Sequence, residues 1–413
     1  MRILYLSHIL TVPDFRFLKK LLLTKHDILL VAMENSSIPE SISSIDGLKC
    51  VTIPRPLPRH NYRYYFSFES IILALRHKLY RIMEKFGFSK KFFPEKSQFL
   101  HEEFRFLYYS QKLSRIIKKF KPEVVHAGWV QLDGLVAVLA GFKPVLLMPW
   151  GSDILIHPFR CKKVMRQTEY VIEQSSHINC DCDEVKNTIL KITDFDAGNI
   201  SVFTFGVDIK IFNTHRTDSS IINRIGWQNK RVIIMTRAFN HLYGIQYFLM
   251  ALPKIISAEP ETRILLVGTG PLEDDLKDMV NSLDLNQYVN FTGHIPNDHL
   301  ACYLNSAEIY VSTSKSDGTS ISLLEAMACG LPVVVSDVPA NFEWVQDGVN
   351  GFIVPRNKVN PICEKVLALL NDKVLADRMG AINLGIIHER ADKDKSFPMF
   401  ENIYQEMIDA RDE

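Results

Sequence analysis

Two carboxylates separated by seven residues, Asp317 and Glu325, bracket a serine-rich turn in the stretch DGTSISLLE. Ile321, Leu324 and Met327 recur at helical spacing behind that turn, so Glu325 falls on a helix and Asp317 on the loop before it. Ser320 is suited to cap the helix, which leaves the amides of the next residues pointing at whatever lies in front. Those amides and the helix dipole favour a diphosphate. Glu325, one turn in, could accept hydrogen bonds from two vicinal hydroxyls such as those of a ribose, while Asp317 would face the group beyond the phosphates. A nucleotide carrying a polyhydroxylated group satisfies all three. In isolation, the same residues also describe an ordinary strand–loop–helix with solvated carboxylates.

The surrounding elements must hold those groups in place. Ile309 to Val311 is a short apolar strand that ends in the polar loop Ser312 to Thr319. Gly330 and Pro332 stop the helix that runs from Ser320 to Cys329, and the β-branched run Val333-Val334-Val335 reads as a buried parallel strand.

With its flanks, this stretch resembles the family-4 glycosyltransferases, retaining enzymes of the GT-B fold. The residues that carry the resemblance are the acidic pair at 317 and 325, SLLEAMACGLPVVVSD, and Glu343-Trp344-Val345-Gln346-Asp347-Gly348 with Gly351. The first acid of the family pair is more often Glu than the Asp317 found here. Further motifs follow the family order: Gly206-Val207-Asp208 with Phe212, Arg237 after the strand Arg231 to Met235, and Val267-Gly268-Thr269-Gly270-Pro271. The resemblance implies an α/β chain of two Rossmann-like parallel-sheet domains facing a central cleft. It implies an acceptor-binding domain over 1–210, a nucleotide-sugar domain over 211–390 and a C-terminal helix (391–413) crossing back to the first. It also implies a donor site of Arg237, Gly270, His294, Ile295, Asp317, Thr319, Ser320, Ile321, Ser322 and Glu325, with His294-Ile295 at the nucleobase.

A guanidinium at Arg237 suits phosphate because it is planar, bidentate and always charged. The family places a lysine a few residues later, before a glycine. This chain has Tyr243-Gly244 there, so the second phosphate cation is missing or comes from another residue such as Lys315 or His241.

The first half of the chain is less regular. Arg2 to Leu6, a loop from Ser7 to Asp14, a helix through Leu23 and Ile28 to Met33 form a β-α-β opening. No G-x-G-x-x-G follows the first strand, which argues against a nicotinamide enzyme. Strands also end at His126 (PEVVH) and before Trp150-Gly151-Ser152-Asp153. Residues past the carboxyl ends of parallel strands line the ligand crevice of an open sheet. His126, Gly151, Ser152 and Asp153 are therefore crevice candidates, although His126 also reads as a satisfied histidine at a strand end. The resemblance puts Ser7, His8, Trp150, Gly151, Ser152 and Asp153 on the acceptor side, and makes Asp317, His126 and Arg237 the catalytic set.

Residues 55–121 differ in kind. They hold 16 Lys and Arg against 5 Glu, a net of +11 in a chain whose total is +1, and 16 of its 43 aromatics. Two amphipathic basic helices fit this stretch. They could lie on an anionic membrane, form a plain helical insertion with aromatics inside, or contact single-stranded RNA. The first is carried forward, and no nucleic acid partner is expected.

Composition bounds the rest. At 413 residues, 47% hydrophobic and 23% charged, the chain suits two ordinary domains. Its seven cysteines lack paired spacing, so a reducing, cytoplasmic compartment is expected, peripheral on the membrane's inner face if 55–121 binds there. No cleavable signal is expected, and Lys143, Pro144 and Pro149 break the longest apolar candidate, Gly134 to Trp150. With no D-x-D motif near the site, neither metal nor cofactor is expected. The expected function is retaining transfer of a hexose-type sugar from a nucleoside-diphosphate sugar to a hydroxyl on a lipid-linked, cell-envelope or exopolysaccharide glycan. The alternatives are a nucleotide-sugar epimerase or phosphorylase of the same architecture and an inactive membrane-associated partner.

Overall fold

The computed structural model describes residues 1–8, 12–33, 47–55 and 99–412. The greater part of the basic segment, 56–98, lies outside the described residues, and with it the first of the two expected basic helices. The second is the helix Phe99–Phe120.

Seven strands make the first sheet: β1 (Arg2–Ser7), β2 (Asp27–Met33), β3 (Lys49–Ile53), β4 (Val124–Ala127), β5 (Val145–Leu147), β6 (His177–Cys180) and β7 (Ile200–Val202). Their order is β3-β2-β1-β4-β5-β6-β7, and every pairing is parallel. The second sheet holds β8 (Arg231–Thr236), β9 (Thr262–Val267), β10 (Val289–Gly293), β11 (Ile309–Ser312), β12 (Val333–Ser336) and β13 (Gly351–Val354). It is also parallel, in the order β10-β9-β8-β11-β12-β13. Both sets of strands start in the middle, wind outward one way, then return to wind the other. The reversal falls between β1 and β4 in one sheet and between β8 and β11 in the other. Such reversals open a crevice at the carboxyl edge of a sheet.

Contacts divide the chain into two compact units. One comprises Met1–Asp181, Val185–Val202 and Phe400–Glu413; the other comprises Cys182–Glu184 and Phe203–Met399. The unit changes at Val202–Phe203, ahead of the sequence boundary at 210, because Gly206-Val207 already belongs to the second unit: the Val207 amide donates to the Ala391 carbonyl at 2.7 Å. The last helix spans Lys393–Asp412.

The second sheet is buried on both faces, which explains its continuous apolar strands. Ile233, Met235, Ile264, Leu266, Val311 and Val334 point into one core. Val232, Ile234, Leu265, Tyr310, Val333 and Val335 point into the other. This second core takes Leu323, Leu324, Ala326, Met327 and Ala328 of the helix Ile321–Ala328, so the helix behind the Asp317 loop is fixed along its inner face. Truncating one such buried leucine to alanine typically costs about 2–5 kcal/mol.

The long helix Lys373–Arg390 backs that short one. Gly380 permits the approach: a Cβ there would lie 2.0 Å from the Gly330 carbonyl oxygen. Three residues on, buried Asn383 donates to the carbonyls of Leu331 and Asn350 at 2.8 and 2.9 Å. Mid-helix Gly→Ala ordinarily stabilises by roughly 0.5–1 kcal/mol. At Gly380 the sign should invert, with Gly380→Ala lowering unfolding free energy by about 2 kcal/mol, an overpacking cost. Urea unfolding checks it, and an unchanged or raised midpoint would refute the packing described.

Candidate active site

Arg237 directly follows β8, while Asp317 and Ser320 lie in the loop after its neighbour β11. The reversal in strand order therefore brings residues eighty apart in sequence against one another. An Arg237 guanidinium nitrogen donates to an Asp317 carboxylate oxygen, and another donates to Ser320 Oγ at 2.5 Å. The guanidinium lies over the ring of Tyr243, 3.8 Å from its centroid. Burial alone would lower the arginine's pKa, but Asp317 beside it holds it above its ordinary value, firmly charged. Burial raises the Asp317 carboxyl, and Arg237 pulls the other way.

Ser320 caps the helix Ile321–Ala328 as expected, its Oγ accepting from the Leu323 amide at 3.3 Å. Glu325 is buried one turn inside that helix, while Ile321 and Ser322 at its start are half-buried. Thr319 is buried and accepts from Trp344 Nε1 at 3.3 Å, which connects the loop to the E-x-V-x-DG stretch.

Behind Arg237, the glycine turn after β9 packs against the loop 237–239. A Cβ on Gly268 would fall 2.2 Å from the Arg237 carbonyl oxygen, and one on Gly270 would fall 2.4 Å from that of Phe239. Only glycines allow this approach. His294 is exposed and Ile295 half-buried, just past β10. Arg237, Gly270, His294-Ile295 and Asp317–Glu325 thus occupy the carboxyl edge of four successive strands, β10-β9-β8-β11.

The first unit repeats the pattern with different chemistry. Past the carboxyl ends of β1, β4 and β5 stand buried Ser7 with His8, then Trp129 to Asp133, then Trp150 to Asp153. His8 Nδ1 lies 3.0 and 3.1 Å from the two carboxylate oxygens of Asp133. Sequence reasoning misses Asp133, because it lies in a turn well past β4 with no signal of its own. Burial pushes its carboxyl up to about 6, against the pull of His8. Asp153 is fully buried and accepts from the Trp150 amide at 2.9 Å and the Val130 amide at 3.2 Å. It braces the loops that follow β4 and β5. Gly151, with φ of 90°, begins the short helix Ser152–Leu155.

His126, a crevice candidate, faces the core. It is fully buried, packs against Tyr5, Phe17, Phe400 and Tyr404, and is hydrogen-bonded through Nδ1 to the Tyr404 hydroxyl at 2.7 Å. Burial lowers its pKa to about 3. Among the described residues no group of three or more His, Cys, Asp or Glu stands placed to hold a metal ion, and no helix is long and apolar enough to cross a membrane.

Comparison with known proteins agrees with this geometry. Residues 229–372, which include every second-unit candidate, match the glycosyl transferases group 1 family, and residues 89–181 match the glycosyl transferase 4-like family. The chain belongs to the group 1, family-4-like glycosyltransferases. Similar curated proteins include the sulfoquinovosyl transferase SQD2 of Arabidopsis thaliana, 24% identical over 66% of this chain and 54% of that protein. The phosphatidyl-myo-inositol mannosyltransferase of Mycolicibacterium smegmatis is 29% identical over 41% of this chain and 42% of its own. The chain spans about half the length of the curated relatives it matches. Among solved structures, Anabaena HepE in complex with UDP-glucose aligns with a TM-score of 0.75 at 16% identity, over 100% of this chain and 99% of that one. Sucrose-phosphate synthase from Thermosynechococcus elongatus aligns at 0.76 and 15%, over 99% and 100%. The fold is GT-B.

The burial of His126 has a thermodynamic consequence. Its folded pKa of about 3 stands against 6.5 for an ordinary histidine, so the unfolded chain takes up a proton that the native chain refuses. Stability present above pH 6.5 is therefore lost as pH falls toward 3. His126→Gln cannot titrate, so the stability advantage of the natural chain over it should shrink by about 2 kcal/mol between about pH 7.5 and 5. Urea midpoints across that range test it; a constant difference would show that His126 is solvated.

Proposed function

We propose that the chain is a retaining glycosyltransferase that moves a hexose-type sugar from a nucleoside-diphosphate sugar to a hydroxyl acceptor. The observation carrying this reading is the hydrogen-bonded cluster of buried Arg237 and Ser320 with half-buried Asp317 at the capped helix start, with Glu325 one turn inside. Arg237 and the amides after Ser320 hold the diphosphate. They stabilise the negative charge that grows on it as the sugar–phosphate bond breaks. Glu325 takes the ribose hydroxyls, Asp317 the sugar, and His294-Ile295 the base. The acceptor oxygen bonds to the anomeric carbon from the face the diphosphate leaves. The departing phosphate oxygen takes the acceptor's proton, so configuration is retained and no second carboxylate is needed.

HepE was solved with UDP-glucose, so uridine is the first base to test. Names of relatives span sulfoquinovosyl, N-acetylglucosaminyl and mannosyl transfer, and phosphatidylinositol and poly(ribitol-phosphate) acceptors. A lipid-linked or cell-envelope glycan acceptor fits the basic, aromatic segment 55–121. Arg115, Lys118, Lys119 and Lys121 keep its described end exposed and cationic. That segment would hold the protein on the anionic inner face of a membrane.

Incubation with a panel of nucleotide sugars and glycolipid extracts should release one nucleoside diphosphate in an acceptor-dependent manner, with the product anomer matching the donor's by NMR. Glu325→Ala and Arg237→Ala should each lower turnover by at least about 100-fold, as expected for removing a preorganised charge contact. Release that ignores the acceptor would indicate the epimerase or phosphorylase reading instead.

A further inference from the structure

A diphosphate brings at least two negative charges to the capped helix, and Arg237 supplies one positive charge that it already shares with Asp317. Electrostatic balance calls for another cation within reach of the same loop. The loop after β11 is sewn to the turn His241–Gly244. The Lys315 amide donates to the Leu242 carbonyl at 2.8 Å, and Thr313 Oγ1 donates to the Gly244 carbonyl at 3.0 Å. Gly244 allows the contact, since a Cβ there would meet the Thr313 carbonyl oxygen at 2.4 Å.

Tyr243 in that turn and Tyr247, four residues on in the helix Ile245–Ala258, each carry a cation. Arg237 lies over Tyr243 at 3.8 Å, and the Lys315 ammonium lies over Tyr247 at 5.7 Å. Another cation near this loop is engaged elsewhere: Arg356 is paired with Asp337 at 2.9 Å and spends another donor on the Lys315 carbonyl. Lys315 is half-buried, and among the described residues no carboxylate pairs with it. A lysine seated on a ring keeps its charge available to an incoming anion, because the π face attracts the ammonium without neutralising it.

We propose that Lys315 is the second cation of the diphosphate site, held by Tyr247 as Arg237 is held by Tyr243. The inference rests on the donor-site reading above and adds the residue that makes the site prefer two phosphates to one. The lysine comes from the loop that carries Asp317, so a single loop displays both the acid facing the sugar and the cation facing the phosphates.

The test is isothermal titration of the full chain with the diphosphates of uridine, guanosine and adenosine, then with the monophosphate of whichever binds. In the natural protein the diphosphate should bind more tightly than the monophosphate. Lys315→Gln should reduce that preference by about 10-fold, as for loss of one charge-assisted phosphate contact, while monophosphate affinity stays within about twofold and reports an intact site. Lys315→Arg should restore the preference. An unchanged preference in Lys315→Gln, with Arg237→Ala abolishing diphosphate binding, would overturn the role of Lys315 and leave the donor site standing. Absence of binding by all three diphosphates to the natural protein would overturn the donor-site reading, and this inference with it.

Discussion

The pair of buried Arg237 and half-buried Asp317 is the constraint on which the second unit depends. It joins the loops that follow β8 and β11, the two strands between which the sheet reverses its winding. A buried charge left without its partner costs about 3–5 kcal/mol, so these loops cannot drift apart cheaply. The glycine turn after β9 is pressed against the arginine's backbone, Tyr243 lies against its guanidinium, and Ser320 both accepts from it and caps the helix. One side chain thus sets the positions of three loops and a helix start. The helix in turn is held by two layers behind it, the sheet's apolar face and the helix Lys373–Arg390 at Gly380.

Much of this is legible in the sequence because the determining signals are local. Val333 to Val335, Ile264 to Val267 and Arg231 to Met235 are short β-branched or apolar runs bounded by polar loops, and each is a strand of a sheet buried on both faces. The serine cap and the seven-residue spacing place Ser320 and Glu325 on the correct helix. What stays hidden depends on tertiary packing. β3, with the sequence KCVTI, sits at the sheet edge with three exposed residues and alternates too weakly to announce itself. Nothing in PEVVH distinguishes a histidine facing a crevice from one facing the core, and Tyr404, which decides it, lies far along the chain. Asp133 escapes for the same reason: only the adjacency of β1 and β4 brings it to His8. That Tyr243 stacks beneath Arg237 likewise needs the fold to be seen.

The two sheets share a plan and differ in what they put at the reversal. In the second, an arginine, an acid and a capped helix meet. In the first, a histidine–aspartate pair sits beside the half-buried indole of Trp129, which also meets His157. The difference matches the uneven match to known families, longer over the second unit than over the first.

The central claim, that the carboxyl edge around Arg237 and Ser320 receives a nucleoside diphosphate, is tested most directly by hydrogen–deuterium exchange with and without saturating uridine diphosphate, repeated with the guanosine and adenosine forms. Slowed exchange is expected at the backbone amides of 318–324, with smaller protection at 237–239 and 293–295, for at least one of the three. Protection confined to the first unit, or absent from 318–324 under conditions where binding is independently measured, would contradict it.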